Sequence, residues 1–298
     1  MSERQGSFQQ VEWITFLLIV GCYGAWVVVL FRTPVLLAVP ATAFLVALHG
    51  SLTHEALHGH PFRSRIANEL LMALPLNLSV PYNRFRDLHL AHHRDANLTD
   101  PYDDPESNYL DPMVWRRLPG WLQLIYRLNN TLFGRMLIGP LIGQISFLRD
   151  ELRGMRRGDR AIWLAWTLHL AGAAVVLLIV AVSPMPIWAY LVSAYLGLAV
   201  LRIRTFLEHR AHDRVRGRTV VVEDRGVLAF LFLNNNLHVV HHMNPTIPWY
   251  RLPAIYRKGR ARYLAINDGY VYRSYGEVFR RYLWRGKDPV AHPLWPRE

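Results

Sequence analysis

A single cysteine, Cys22, stands among 298 residues. It excludes an internal disulfide and any thiolate-held metal cluster, so metal binding in this chain must rely on nitrogen or oxygen. Acidic side chains are few beside basic ones, 22 against 34, and the formal net charge is +12. The chain has no glycine-rich dinucleotide fingerprint, haem-attachment motif, internal repeat or low-complexity tract. The basic residues flank apolar runs and form no nucleic-acid motif. Nucleic acid is therefore set aside as a partner, and the charge is assigned to anionic lipid, an acidic electron-donor protein or membrane topology.

What the chain has in quantity is apolar length. Hydrophobic residues make up 52% of it, concentrated in four stretches at about 11–31, 34–53, 161–182 and 187–207. Each is close to the roughly 20 helical residues that cross a hydrocarbon core of about 30 Å. Met1–Gln10 is short and polar, and no small-residue cleavage site follows the apolar run that begins at Val11, so that helix is expected to be retained as an anchor. The links Arg32–Thr33 and Ser183–Pro186 are so short that each pair of spans is expected to form a hairpin. Only Arg32 of the 34 Lys and Arg residues lies in either link. The positive-inside rule then puts both termini and the long middle segment in the cytoplasm. The expectation is an all-α integral membrane protein, one domain over 1–298, with four transmembrane helices in two hairpins. A cytoplasmic helical cap from 54–160 and 208–298 completes it. Apolar stretches at Leu70–Val80, Trp121–Leu148 and Val227–Leu233 are short or interrupted and read as interfacial or buried helices.

The 14 histidines are not scattered. They concentrate as His54 and His58 in HEALH; His89, His92 and His93 in HLAHH; His209 and His212 in EHRAH; and His238, His241 and His242 in HVVHH. Positions i, i+3 and i+4 share a helix face, so each group can aim its imidazoles at one point. The topology agrees independently: His54 follows the second span, His209 follows the fourth, and the other groups lie in segments already assigned to the same side. Nine or so imidazoles are too many for one ion, because tetrahedral zinc takes only four ligands. Two ions with open positions suit the count, and iron makes those positions useful for activating dioxygen. Neutral imidazoles leave the metal charge uncompensated, a task for nearby acids such as Glu55, Asp87, Asp95 and Glu208.

At these residues the sequence resembles the membrane fatty acid desaturase and hydroxylase family, whose histidine boxes read HxxxH, HxxHH and HxxHH. The resemblance runs from about Leu48 to Pro253, and includes Glu208–Arg210 and the NNNLHVVHH segment Asn234–His242. It implies that Asn234 assists the metal site and that electrons arrive from a separate carrier such as ferredoxin or rubredoxin. His212 is an addition to the family pattern, so either or both of His209 and His212 stand as ligands. The implied activity is O2-dependent oxidation of unactivated C–H bonds in a lipid or fatty acyl substrate, foremost desaturation. Hydroxylation or ketolation of a lipid or carotenoid, and desaturation of a small amino acid derived metabolite, are alternatives by the same site.

Outside oxygen chemistry, HEALH also fits the zinc protease motif HExxH, with Glu55 as base. A non-catalytic metal-storing or membrane-anchoring protein is a third class. Among the remaining histidines, His49 reads as a polar contact between spans, His169 as facing a neighbouring helix, and His60 and His292 as loop residues. The acidic run Asp100–Glu106 reads as a solvated loop able to support the histidines. Trp249, Tyr250, Tyr256 and Tyr263 read as an interfacial aromatic belt.

Overall fold

Backbone polar groups removed from water must pair within the chain, and long apolar runs do so as helices. The computed structural model describes residues 11–94 and 98–295, which are mostly helical. Helices α1 (Trp13–Arg32) and α2 (Val35–Leu57) are joined by Thr33 and Pro34, and short α3 (Arg65–Leu71) precedes α4 (Tyr82–Arg94). Helices α5 (Pro112–Arg117), α6 (Gly120–Asn129) and α7 (Leu132–Leu137) lead into α8 (Gly139–Arg156). Helices α9 (Arg160–Ala181) and α10 (Ile187–Thr205) follow. The remainder holds α11 (Val227–Leu231), α12 (His238–Met243), α13 (Leu252–Ile266) and α14 (Tyr275–Tyr282). Strands β1 (Val221–Val222) and β2 (Val271–Tyr272) pair in parallel.

Helices α1, α2, α9 and α10 are long and apolar enough to cross a membrane. They carry exposed apolar side chains that water would not tolerate in such density: Leu36 is 85% exposed, Val182 67% and Leu178 65%. This is a membrane protein. The helix bounds follow the sequence expectation closely, except that α2 continues one turn further, through His54 to Leu57. Leu52, His54, Glu55, Ala56 and Leu57 are all buried there, so no water competes for that turn's backbone bonds. Asp159 starts α9 by accepting hydrogen bonds from the Ala161 and Ile162 N–H groups on Oδ1.

Helix α2 is the spine, with α1 and α10 packed along it. Trp26 and Tyr190 meet edge to face at 6.3 Å, and the Tyr190 hydroxyl donates to the Leu76 carbonyl at 2.8 Å. Close approach of α10 to α2 depends on Gly197: a Cβ there would stand 2.6 Å from Val46 Cγ1 and 2.8 Å from the Ala43 carbonyl oxygen. Of the two polar contacts expected within the spans, that of His49 reaches a neighbouring helix, whereas His169, expected to face one, meets a loop carbonyl. His49 Nε2 lies 2.9 Å from the Tyr23 hydroxyl, and His169 Nε2 lies 3.3 Å from the Leu78 carbonyl. Trp121, Leu124, Leu141 and Ile145 on α6 and α8 stay exposed, as helices at an interface would leave them. The aromatic belt needs correction, because Tyr256 and Tyr263 are buried in a second apolar cluster with Leu237, Val240 and Leu252. Their spacing on α13 aims them inward.

A C-terminal strap closes the rest. Leu110 bridges to Ala291, the Tyr109 hydroxyl donates to Asp288, and Thr99 Oγ1 meets His292 Nε2 at 3.2 Å. Lys287 Nζ donates to the His209 carbonyl at 2.7 Å. His292, expected as a mere loop residue, is buried in this strap.

Alanine normally stabilises a helix relative to glycine by up to about 1 kcal/mol. Gly197→Ala is expected to do the opposite, costing about 1–3 kcal/mol by overpacking α10 against α2. Gly21→Ala, with nothing within 4 Å of its added carbon, should be neutral or mildly stabilising. Thermal unfolding of the detergent-solubilised variants measures both.

Candidate metal centre

The boxes converge through two kinds of spacing. His54 and His58 lie one turn apart at the end of α2, and His89 and His93 one turn apart on α4. With His241 from α12 they form a group of five whose ligand nitrogens all lie within 4.8 Å of one another. His92, His209, His238 and His242 form a second group under the same limit. Each HxxHH helix thus serves both groups: α4 gives His89 and His93 to one and His92 to the other, and α12 gives His241 to one and His238 and His242 to the other. An i, i+4 pair faces one side, and the i+3 residue turns far enough round to face the next.

The nitrogens that meet are the Nε2 atoms. His58 and His89 are separated by 3.2 Å, His89 and His93 by 3.0 Å, and His93 and His241 by 3.1 Å. In the second group, His92–His209, His209–His238 and His238–His242 are 3.0, 3.1 and 3.0 Å apart. A ring nitrogen offers either one hydrogen or one lone pair, so a chain of Nε2 atoms cannot satisfy itself. His54 Nε2 is buried with no partner at all.

The Nδ1 edges explain which nitrogen carries the hydrogen. His89 Nδ1 lies 2.7 Å from Glu106 Oε1, and His92 Nδ1 lies 2.7 Å from Asp104 Oδ1. Asn235 Oδ1 takes His238 Nδ1 at 3.1 Å while its amide donates to Glu208 Oε1 at 3.3 Å. Carboxylates only accept, so Nδ1 is protonated and the Nε2 lone pairs point inward. Arg204 Nε holds Glu208 at 2.8 Å, and the Thr99 N–H fixes Asp104 at 2.7 Å.

Electrostatics favour neutral imidazoles, the form that binds metal. Burial, with the surrounding imidazoles adding to it, holds His58, His209, His238, His241 and His242 well below the ordinary histidine range. His93 is pushed down to about 3 for the same reasons. His92 is the exception: burial pulls it down, but Glu106 and Asp104 prevail and raise it to about 9. Burial lifts Glu208, with Arg204 opposing. Burial also works to lift Glu106, but His89 and His92 overcome it and hold that carboxylate well below its usual range. Buried, neutral imidazoles with oriented lone pairs and acids behind them fit a pair of divalent ions. Iron, cobalt, copper and zinc all accept imidazole.

Two expected residues lie elsewhere. His212 belongs to neither group: its Nε2 lies 3.1 Å from Asp268 and its Nδ1 takes the Arg214 N–H at the edge of the cap. Asn234 turns its amide to the Trp249 carbonyl at 3.2 Å, in a left-handed conformation with φ 55°. The assisting amide is Asn235. Glu55 accepts the Trp249 N–H at 3.2 Å, and its other oxygen stands 3.9 Å from His54 Nδ1, too far for a hydrogen bond. Asp87 pairs with Arg86 at 2.7 Å, and Asp95 lies outside the described residues. Asp104 and Glu106 lie in the acidic run expected to be able to support the histidines, whereas Asn235 and Lys287 carry no such signal in the sequence. The acidic run was the one available signal for the first two.

Beside both groups lies a cavity of about 760 Å³, reaching His89 and His209 and extending between α4, α8, α9 and α10. Its walls include Phe85, Leu88, Phe147 and Leu198.

Residues 25–274 match the family model described as fatty acid desaturase. The chain is similar to a β-carotene ketolase of Paracoccus sp. (strain N81106 / MBIC 01143), at 29% identity over 219 residues, covering 70% of this chain and 73% of the relative. It is also similar to a fatty acid desaturase of Bacillus subtilis (strain 168), at 23% identity over 235 residues, covering 72% of this chain and 65% of that protein.

The depressed histidines set the pH response of metal-free protein. Their unfolded forms take up protons below about pH 6.5 while the folded forms resist, so stability must fall as pH drops through that value. His92 has the opposite sign, and the six depressed groups outweigh it. The melting temperature of chelator-stripped protein should decline between about pH 7 and pH 5, and should decline again, by the smaller His92 contribution, as pH rises toward about 9. A second expectation concerns occupancy. His238→Ala should lower bound metal from about two ions per chain to about one, whereas His212→Ala keeps the full complement, as elemental analysis will register.

Proposed function

Because the chain belongs to the fatty acid desaturase family and is an oxidoreductase enzyme of the membrane, we propose that it is a di-iron, O2-dependent oxidase of unactivated C–H bonds in a lipid-type substrate. The observation that carries this reading is the meeting of nine imidazoles in two adjoining groups beside one cavity. His54, His58, His89, His93 and His241 would hold one iron, and His92, His209, His238 and His242 the other. When bound, the irons supply the redox chemistry by which dioxygen oxidises a C–H bond that acids and bases cannot attack.

The chain's own residues prepare that chemistry. Glu106, Asp104 and Asn235 fix the Nδ1 protons and so the orientation of His89, His92 and His238. Arg204 and Asn235 hold Glu208 at the cavity wall, where burial raises its pKa and Arg204 opposes the rise. The apolar wall orients a chain past His89 and His209, because a reacting bond misplaced by an ångström loses much of its rate. Desaturation consumes O2, two electrons and two protons, removes two hydrogens from the substrate and releases two waters. The electrons come from a separate carrier such as ferredoxin or rubredoxin, since the single cysteine leaves the chain unable to hold an iron–sulfur cluster.

Desaturation is the leading reading. Hydroxylation or ketolation is the second, favoured by the likeness to a β-carotene ketolase. The protease reading of HEALH finds no support, since His54 and His58 join three other imidazoles and Glu55 is turned to Trp249. The proposed arrangement is one domain over 1–298. Its spans form two hairpins, with both termini and the histidine-bearing cap cytoplasmic, as only Arg32 lies in a short link.

Purified, iron-loaded protein with reduced ferredoxin and labelled O2 tests the reaction. Alkene product free of label identifies a desaturase, and labelled alcohol or ketone identifies the second reading. Oxygen consumption no greater than that of His238→Ala would overturn both.

A further inference from the structure

The cavity beside the histidines is not lined like a hydrocarbon sleeve. Of the four arginines on its wall, Arg84 is held at both oxygens of Glu151 at 2.9 Å, and Arg204 is paired with Glu208. Arg157 is exposed at the mouth. Arg202, partly buried one turn before the end of α10, has neither a hydrogen bond nor an ion pair among the described residues. Glu106 and Glu208 attract it from across the cavity, yet each is committed, to His89 and to Arg204. A guanidinium beside lipid is costly without an anion against it.

Its place is provided by sequence. Gly143 on α8 faces it, and a Cβ on Gly143 would collide with Arg202 Nη2. The missing side chain is the hollow in which the guanidinium sits. Apolar surface continues from there, through Phe85, Leu88, Phe147, Ile162, Leu198 and Leu201. The same cavity opens on His89 and His209.

We propose that this cavity takes a free carboxylic acid with an apolar chain, its carboxylate held by Arg202 in the hollow over Gly143. This rests on the oxidase reading and narrows its substrate class from lipids in general to unesterified acids. The planar fork of the guanidinium matches a carboxylate in two parallel hydrogen bonds. A phosphate dianion is disfavoured by the carboxylates of Glu106 and Glu208 nearby. An ester, an amide or a hydrocarbon leaves the cation unmatched.

The test compares octanoate with octanamide, equal in length and differing in charge, by the thermal shift each gives to full-length protein in neutral detergent. Wild-type protein should bind octanoate at least about tenfold more tightly. Arg202→Gln should erase the preference, and Arg202→Lys should keep part of it. Gly143→Ala favours the α8 helix and so folds; it should weaken octanoate by displacing the guanidinium while leaving octanamide unchanged. Equal binding of the two by wild-type protein, or an undiminished preference in Arg202→Gln, overturns the proposal. So does competition of phosphatidylglycerol for the site without selectivity for octanoate, which would assign Arg202 to a lipid headgroup. Iron measured on the same samples separates the two levels. Iron-loaded protein without the preference removes the carboxylate assignment alone, whereas the preference in protein that takes up no iron keeps the binding site and removes the oxidase reading.

Discussion

The structure depends on one electrostatic demand: nine imidazoles, five buried and four partly buried, must be held together with their Nε2 atoms turned toward one another. Such an arrangement is unfavourable by itself, with nitrogens about 3 Å apart and too few hydrogens to share between them. The fold holds it by tethering the opposite edges. Nδ1 hydrogens go to Glu106, Asp104 and Asn235, and those acceptors are in turn held by Thr99 and Glu208. A protein that needed these histidines only as core polar residues would gain nothing from aiming them together.

Position along the membrane normal matters as much as aim. Helix α2 carries His54 and His58 out of the apolar region without a break, and His209 follows α10 after a short turn. The histidines are therefore anchored by elements whose placement the lipid itself fixes. Segments outside the four long helices supply α4 and α12, and α4 packs against α2 itself.

Much of this was legible in the sequence because it depends on period and length. Four apolar stretches gave four helices within a few residues, and the i, i+3, i+4 spacing of HLAHH and HVVHH marked the converging histidines, although each box divides them between two groups and not at one point. What escaped depends on local backbone geometry. Asn234 and Asn235 are alike in the sequence, and only the left-handed turn at Leu233 and Asn234 decides that Asn235 faces His238. His212 copies the spacing of a ligand, but the chain leaves helix before it, so the spacing carries no shared face and Asp268 claims the ring. Asp104, buried, and Glu106, partly so, are placed by a loop whose course depends on residues near Asp288, far away in the chain. No periodicity carries that information.

The strap has a consequence for how the protein comes to be. Lys287 grips the His209 carbonyl from a segment beyond the family-matched region, and Tyr109 is tied to Asp288. Synthesis runs from the N-terminus, so the α2 and α4 histidines emerge long before the residues that lock His209 in place. Both groups receive their last imidazole from α12, but the hold on the His209 carbonyl needs Lys287 as well. The four-imidazole group thus takes one backbone tether from residues made after its last histidine.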